Sequence, residues 1–155
     1  MDCWKNALGP RIKRVNNVLD FWRTQDMERL GLTSTQGYLL GWLTRNADRS
    51  VTPSELGRSF RLSQPTISGI LQRLETKGLV TMEADPNDRR RKYVRTTERA
   101  AECHQQIISN FRDMERRLAA PLSAEEQETL VALLDRMIDG LEQDARQRET
   151  EAAHV

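Results

Sequence analysis

TPSELGRSFRLSQPTISGILQRLETKGLV, residues 52–80, spells two short helices joined by a tight turn. Thr52 caps the first helix and Pro53 fills its first position, where the missing N–H is harmless; Ser63 caps the second. Leu56, Phe60, Leu62, Ile67, Leu71 and Leu74 are the apolar positions, and Gly57 supplies a small residue where the helices cross. Taking Ile67 as the inward direction and advancing about 100° per residue, Leu71 and Leu74 fall within roughly 40° of it. Pro65, Gly69, Gln72 and Thr76 then point the opposite way. A helix that is only solvated would carry Glu and Lys there. This one offers Gln64, Thr66, Ser68, Gln72 and Arg73 as hydrogen-bond partners and keeps bulk low at Gly69, a surface that fits a major groove better than the interior of a buried helical hairpin. Ser63 and the first-turn N–H groups are placed to meet a phosphate. The pattern is that of a helix-turn-helix.

Two strand-like segments follow, residues 79–83 and 92–96. Between them lies ADPNDRRR, in which Asp85-Pro86-Asn87-Asp88 is a strong turn signal. The expectation is a β-hairpin with a basic tip. Arg89, Arg90, Arg91, Lys92 and Arg95 put five cations within seven residues, and flexible arginines on a projection suit a narrow minor groove. The competing reading is a solvated loop in which Asp85 and Asp88 neutralise the arginines.

The order of helix-turn-helix, GLV strand, DPNDRRRKYV hairpin and following capped helix resembles the MarR family of bacterial transcription regulators, and its SlyA-like branch in particular. The resemblance covers residues 8–142. It is strongest at Gly31-Leu32-Thr33 with Gln36, along residues 56–80, and at Asp85-Pro86 through Asp88-Arg89-Arg90. It implies a mainly α, homodimeric winged-helix protein with a small β-hairpin wing. Such a protein binds a palindromic operator on double-stranded DNA, as a rule as a repressor, and is released by a small, commonly phenolic or anionic, ligand. The chain departs from the family at Thr96 and Ala100, where a leucine and a glycine are usual, and at Gly69, where relatives often place a base-reading arginine. The DNA-binding residues expected are Ser63, Gln64, Pro65, Thr66, Ser68, Gly69, Gln72, Arg73, Arg89, Arg90 and Arg91.

Composition agrees with a helix-rich, globular chain: of 155 residues, 37% are hydrophobic, 30% charged and only 5% aromatic. No apolar run is long enough to span a bilayer and no signal-peptide pattern opens the chain, so a cytoplasmic location is expected. A net charge of +1 is small for a nucleic-acid binder, but phosphate attraction is local, and Arg58, Arg61 and Arg73 join the wing cations while acidic residues gather in the C-terminal helices. Cys3 and Cys103 are too few and too unpatterned for a metal site or a disulfide framework. Relatives that sense oxidants through an N-terminal-region cysteine make a redox role for Cys3 the alternative mode of control.

The remaining helices carry apolar stripes. Pro10 opens a helix to about residue 29 bearing Ile12, Val15, Val18, Leu19 and Trp22. Thr33 and Gln36 form a capping box for a second, ending near Arg45. Thr97 with Glu98 starts a long helix that Pro121 stops, and Ser123 with Glu126 caps a last one with Leu130, Leu133, Leu134, Met137, Ile138 and Leu141 at three- and four-residue steps. The organisation expected is a dimerisation region from residues 1–30 and 98–142, a winged-helix lobe over 31–97, and a flexible tail over 143–155. A monomeric three-helix bundle is the competing arrangement for the stripes.

An enzyme would have to be built without recognisable parts. His104 and His154 are the only histidines, and there is no phosphate loop, HExxH, paired-cysteine spacing or nucleophile elbow. No catalytic residue, metal or cofactor is expected. A winged helix used for protein contact would carry an acidic or apolar wing, and this one is arginine-rich. The family's ligand position maps onto the first helix around Arg14 to Trp22, the second helix, and the start of the long helix near His104. These residues combine apolar surface with cations and so suit a small aromatic anion, against the competing reading of a filled core.

Overall fold

A computed structural model describes residues 6–85, 88 and 91–152. The elements run α1 (Leu8–Arg29), α2 (Ser34–Arg45), α3 (Pro53–Phe60), α4 (Gln64–Thr76), β1 (Val80–Ala84), β2 (Lys92–Thr96), α5 (Glu98–Ala119) and α6 (Ala124–Ala152). They divide into two compact units, Met1–Met114 and Glu115–Val155. Cys3 lies outside the described residues, as do the wing-tip arginines Arg89 and Arg90.

In the first unit the expected caps hold each helix start. Thr33 and Gln36 close the capping box of α2 in both directions, and Thr52 accepts from Glu55 N at the start of α3. The core forms around Leu39, Leu40, Leu43, Leu56, Ile67 and Leu74, all with relative exposures of 2% or less. Trp42 and Phe60 meet edge to face, centroids 6.1 Å apart, and cover its margin. α1 starts at Leu8, two residues before Pro10, because proline is equally harmless anywhere in the first turn. Only Met27 of α1 is buried; Leu8, Ile12, Val15, Val18 and Phe21 are exposed.

α4 ends in a left-handed turn at Gly78, φ +68°, which lets Leu79 N reach back to Leu74 O at 2.9 Å. Leu79 is thereby used to close the helix, and the first strand begins one residue later than its composition implied. β1 and β2 pair antiparallel, Val80 opposite Thr96 and Ala84 opposite Lys92. Val94 N also donates to Val51 O at 2.8 Å, which ties the hairpin to the segment before α3. Thr97 then serves two elements: its hydroxyl caps α5 at Ala100 N and donates to Gly78 O at 2.8 Å. Ala100 is wholly buried, so the position where a glycine is usual holds a side chain at no visible cost.

In the second unit, Ser123 and Glu126 exchange capping bonds at 2.8 and 3.2 Å to start α6. The helix does not stop at Gln143. It continues to Ala152 through the segment expected as a flexible tail, where Arg146 pairs with Glu142 and Arg148 with Asp144 one turn back. No described side chain of α6 is buried, and Leu130, Val131, Leu133, Leu134, Ile138 and Leu141 are all exposed. No described helix is long and apolar enough to cross a membrane.

Candidate nucleic-acid interface

α4 is anchored by Ile67, Ile70, Leu71 and Leu74, and that anchoring turns the other face outward. Ser63, Gln64, Pro65, Thr66, Ser68, Gln72 and Arg73 are all exposed. Two of them are partly committed. Ser63 Oγ accepts from Thr66 N and lies 2.8 Å from Thr66 Oγ1, so its hydroxyl serves the helix cap. Gln64 folds back over α3: a Cβ built on Gly57 would lie 3.0 Å from Gln64 Nε2 and 3.2 Å from the carbonyl of Leu62. The helix crossing therefore needs glycine at 57. Gly69 is different, because a Cβ there would meet nothing within 4 Å. Its small size serves the outward surface and not the packing.

Cations flank this surface. Arg58 and Arg73 are exposed, and Arg61 occupies the turn between the helices with φ +52°, a left-handed conformation usually given to glycine or asparagine. Arg91 is exposed at the end of the wing loop, which is closed by Asp85 N to Arg91 O and Arg91 N to Asp88 O. Arg95 is engaged within the protein. It bonds Glu83 Oε2 at 3.1 Å and reaches Arg49 O and Ser50 Oγ, stapling the hairpin to the chain before α3. The acidic side of the loop is engaged too: Asp85 is buried and accepts the Tyr93 hydroxyl at 2.6 Å. That bond, more than burial, raises the Tyr93 hydroxyl above its ordinary range.

A cavity of about 350 Å³ opens between α1, α2 and α5, lined by Arg23, Met27, Tyr38, Arg45, His104 and Phe111 among others. Of the three residues expected to hold a ligand, His104 lines it; Arg14 and Trp22 do not. The reason is helical phase and reach. Arg14 sits two and a half turns before Arg23, roughly 13 Å along α1, and Trp22 points about 100° away from it. Arg23 lies on the cavity wall, with its guanidinium 5.4 Å from the Tyr38 ring and bonded to the Tyr38 hydroxyl. Among the described residues, the buried side-chain polar atoms without a partner are Arg23 Nε and His104 Nδ1, and both residues line this cavity. His104 is only 7% exposed. Burial, and then the charge of Arg45, lower its pKa below the usual value. No group of three metal-ligating side chains occurs among the described residues.

The winged-helix lobe matches the MarR family over residues 30–91. Along most of the chain, the fold is that of MepR from Staphylococcus aureus, a transcription regulator of the multidrug efflux pump MepA: TM-score 0.80 at 27% identity, covering 87% of this chain and 98% of that one. The winged-helix lobe is of the MarR type. A MepR–DNA complex aligns with TM-score 0.72 and 29% identity over 83% of this chain and 96% of that one. The HTH-type transcriptional repressor NicR of Pseudomonas putida is 35% identical over 86 residues, 56% of this chain and 54% of the relative, so the match spans about half of that curated protein. The proteins this chain resembles are transcription regulators, one of them seen bound to DNA. Arg23, Tyr38 and the stapling role of Arg95 escaped the sequence reading, since their partners lie 12 or more residues away.

Proposed function

We propose that the protein is a ligand-responsive repressor acting as a homodimer in the cytoplasm on an inverted-repeat operator. Residues 31–97 bind DNA, and residues 1–30 and 98–142 hold the dimer. The observation that carries this reading is the outward face of α4, small and hydrogen-bonding around an open Gly69, beside a basic two-stranded wing. Ser68, Gln72 and Arg73 face the bases, Ser63 and Thr66 complete the helix start at the phosphates, and Arg89 to Arg91 enter the minor groove. Gly31-Leu32-Thr33 and the Asp85-Pro86 wing support a place in the SlyA-like branch. The apolar faces of α1 and α6 support the homodimer, because rows of exposed leucine, valine and isoleucine are costly to leave in water.

A twofold dimer sets its recognition helices about one helical turn, roughly 34 Å, apart, so footprinting should protect about two turns of duplex. Tight binding of a single chain to an asymmetric half-site would refute the reading. Arg91→Ala should weaken operator binding and make its salt dependence shallower by about 0.9 for each phosphate that Arg91 neutralises. Unchanged affinity and slope in a folded variant would remove the wing from the interface.

The cavity supports a small aromatic anion as the releasing ligand, with its acceptor at Arg23 Nε and a second polar group at His104 Nδ1. Release requires that ligand and operator favour different arrangements of the dimer. A coupling of about 2 to 3 kcal/mol, roughly 30- to 150-fold, empties an operator held near its working concentration, and linkage makes operator weaken ligand binding by the same factor. Calorimetric titration of salicylate with and without operator measures it. Equal affinity in the two titrations would exclude this class of ligand as the switch.

A further inference from the structure

One side chain joins three helices that the sequence keeps far apart. Lys77 follows the last residue of α4 and is half-buried. Its ammonium donates to the carbonyl of Gly31, 46 residues earlier, and to Gln36 Oε1 at 2.8 Å. Gly31 is the left-handed residue that ends α1: its N–H bonds Glu28 O, and the next N–H, of Leu32, bonds Met27 O, both at 2.8 Å. Gln36 is the capping-box residue of α2, is 2% exposed, and accepts Thr33 N at 3.2 Å on the same amide oxygen. Both lone pairs of that buried oxygen are therefore used, one by the α2 cap and one by Lys77. The end of α1, the start of α2 and the end of α4 share a single ammonium.

We propose that Lys77 is a positioning residue that fastens the recognition helix to the end of α1, so that the pose of α4 follows the position of α1. This rests on α4 being the DNA-reading helix. α1 contributes Arg23 and Met27 to the cavity and carries the exposed apolar row, so it is the element that feels both a bound ligand and a second copy of the chain. The core side chains of α4 anchor it by non-directional apolar packing, whereas a charged donor on two fixed acceptors sets the distance between helix ends. Gly78 and Thr97 complete the joint on the far side, where the Thr97 hydroxyl holds Gly78 O. A displacement of α1 is thus passed to the C-terminal end of α4.

The test replaces Lys77 with methionine, which keeps the aliphatic stem and removes the donors. K77M is expected to bind operator about tenfold more weakly, the net worth of one hydrogen bond from a charged donor. The slope of affinity against salt should stay at the wild-type value, which separates positioning from direct neutralisation of a phosphate. K77R keeps a cation with several donors and should recover affinity to within threefold. A second readout needs no DNA: spin labels at Lys13→Cys on α1 and Ser68→Cys on α4, with Cys3 and Cys103 replaced by serine and the labelled chain diluted into unlabelled protein, report the distance between the helices. K77M should broaden that distribution and K77R restore it. Wild-type affinity in K77M, a slope made shallower as for a phosphate-binding cation, or an unbroadened distance would each overturn the proposal. Failure of the wild-type protein to bind any operator, with the distance still broadened by K77M, would instead remove the DNA-binding role of α4 and leave the fastening standing.

Discussion

Leu134→Asp is expected to convert the protein into monomers that no longer hold operator DNA. Leu134 is 37% exposed within its own chain and stands in a row with Leu130, Ile138 and Leu141, on a helix none of whose described side chains is buried. In an isolated chain an aspartate at this position can stay hydrated, and the change costs only the helix propensity of one residue, below about 1 kcal/mol. In a twofold dimer it places two unpaired carboxylates in one apolar interface, a loss of several kcal/mol. The contrast separates the two states. Sedimentation equilibrium should give the mass of one chain while circular dichroism stays helical, or the variant should unfold if the monomer cannot stand alone. A dimer of native stability would place the interface on another surface.

Leu74→Ala should be among the large single losses inside the first unit, about 2 to 5 kcal/mol for emptying a fully buried leucine site. Against a total stability of roughly 5 to 15 kcal/mol, that fraction brings the domain close to unfolding. Leu74 is the last inward residue of α4, and its carbonyl receives Leu79 N in the turn that ends the helix. The variant should therefore lose hold of α4 as well as bulk stability. Urea denaturation followed by circular dichroism should show a lower midpoint with an unchanged slope, since the surface exposed on unfolding is nearly the same. A loss under about 1 kcal/mol would show that the neighbours collapse into the gap and that Leu74 does not anchor the helix.

What could be read directly from the residues was whatever has a local signature. The periodicity of residues 52–80 placed Ile67, Leu71 and Leu74 inward, and the Thr33–Gln36 and Ser123–Glu126 boxes marked two helix starts to the residue. Interactions made across the chain left no such trace. The bonds from Lys77 to Gly31 and from Arg95 to Arg49 each span 46 residues, and nothing in the neighbourhood of either cation distinguishes a staple from a solvated side chain. Helix phase decides which residues of α1 line the cavity: Arg23 and Met27 do, while Arg14 and Trp22 do not, because one residue turns the direction by about 100°. The extent of α6 has no apolar signature for another reason. Polar sequence past Gln143 resembles a fraying end, yet Glu142, Asp144, Arg146 and Arg148 stand at the spacing that supports a helix without any core.

The open space around Gly69 bears on how such a regulator can change its target. A Cβ added there meets no protein atom within 4 Å, and glycine inside a helix costs about 1 kcal/mol against alanine, so an alanine there would leave α4 at least as helical. Under the proposed function, folding and target choice are uncoupled at that position, and a duplicated copy of the gene could acquire a new DNA preference by a single substitution there, with no compensating change elsewhere in the core.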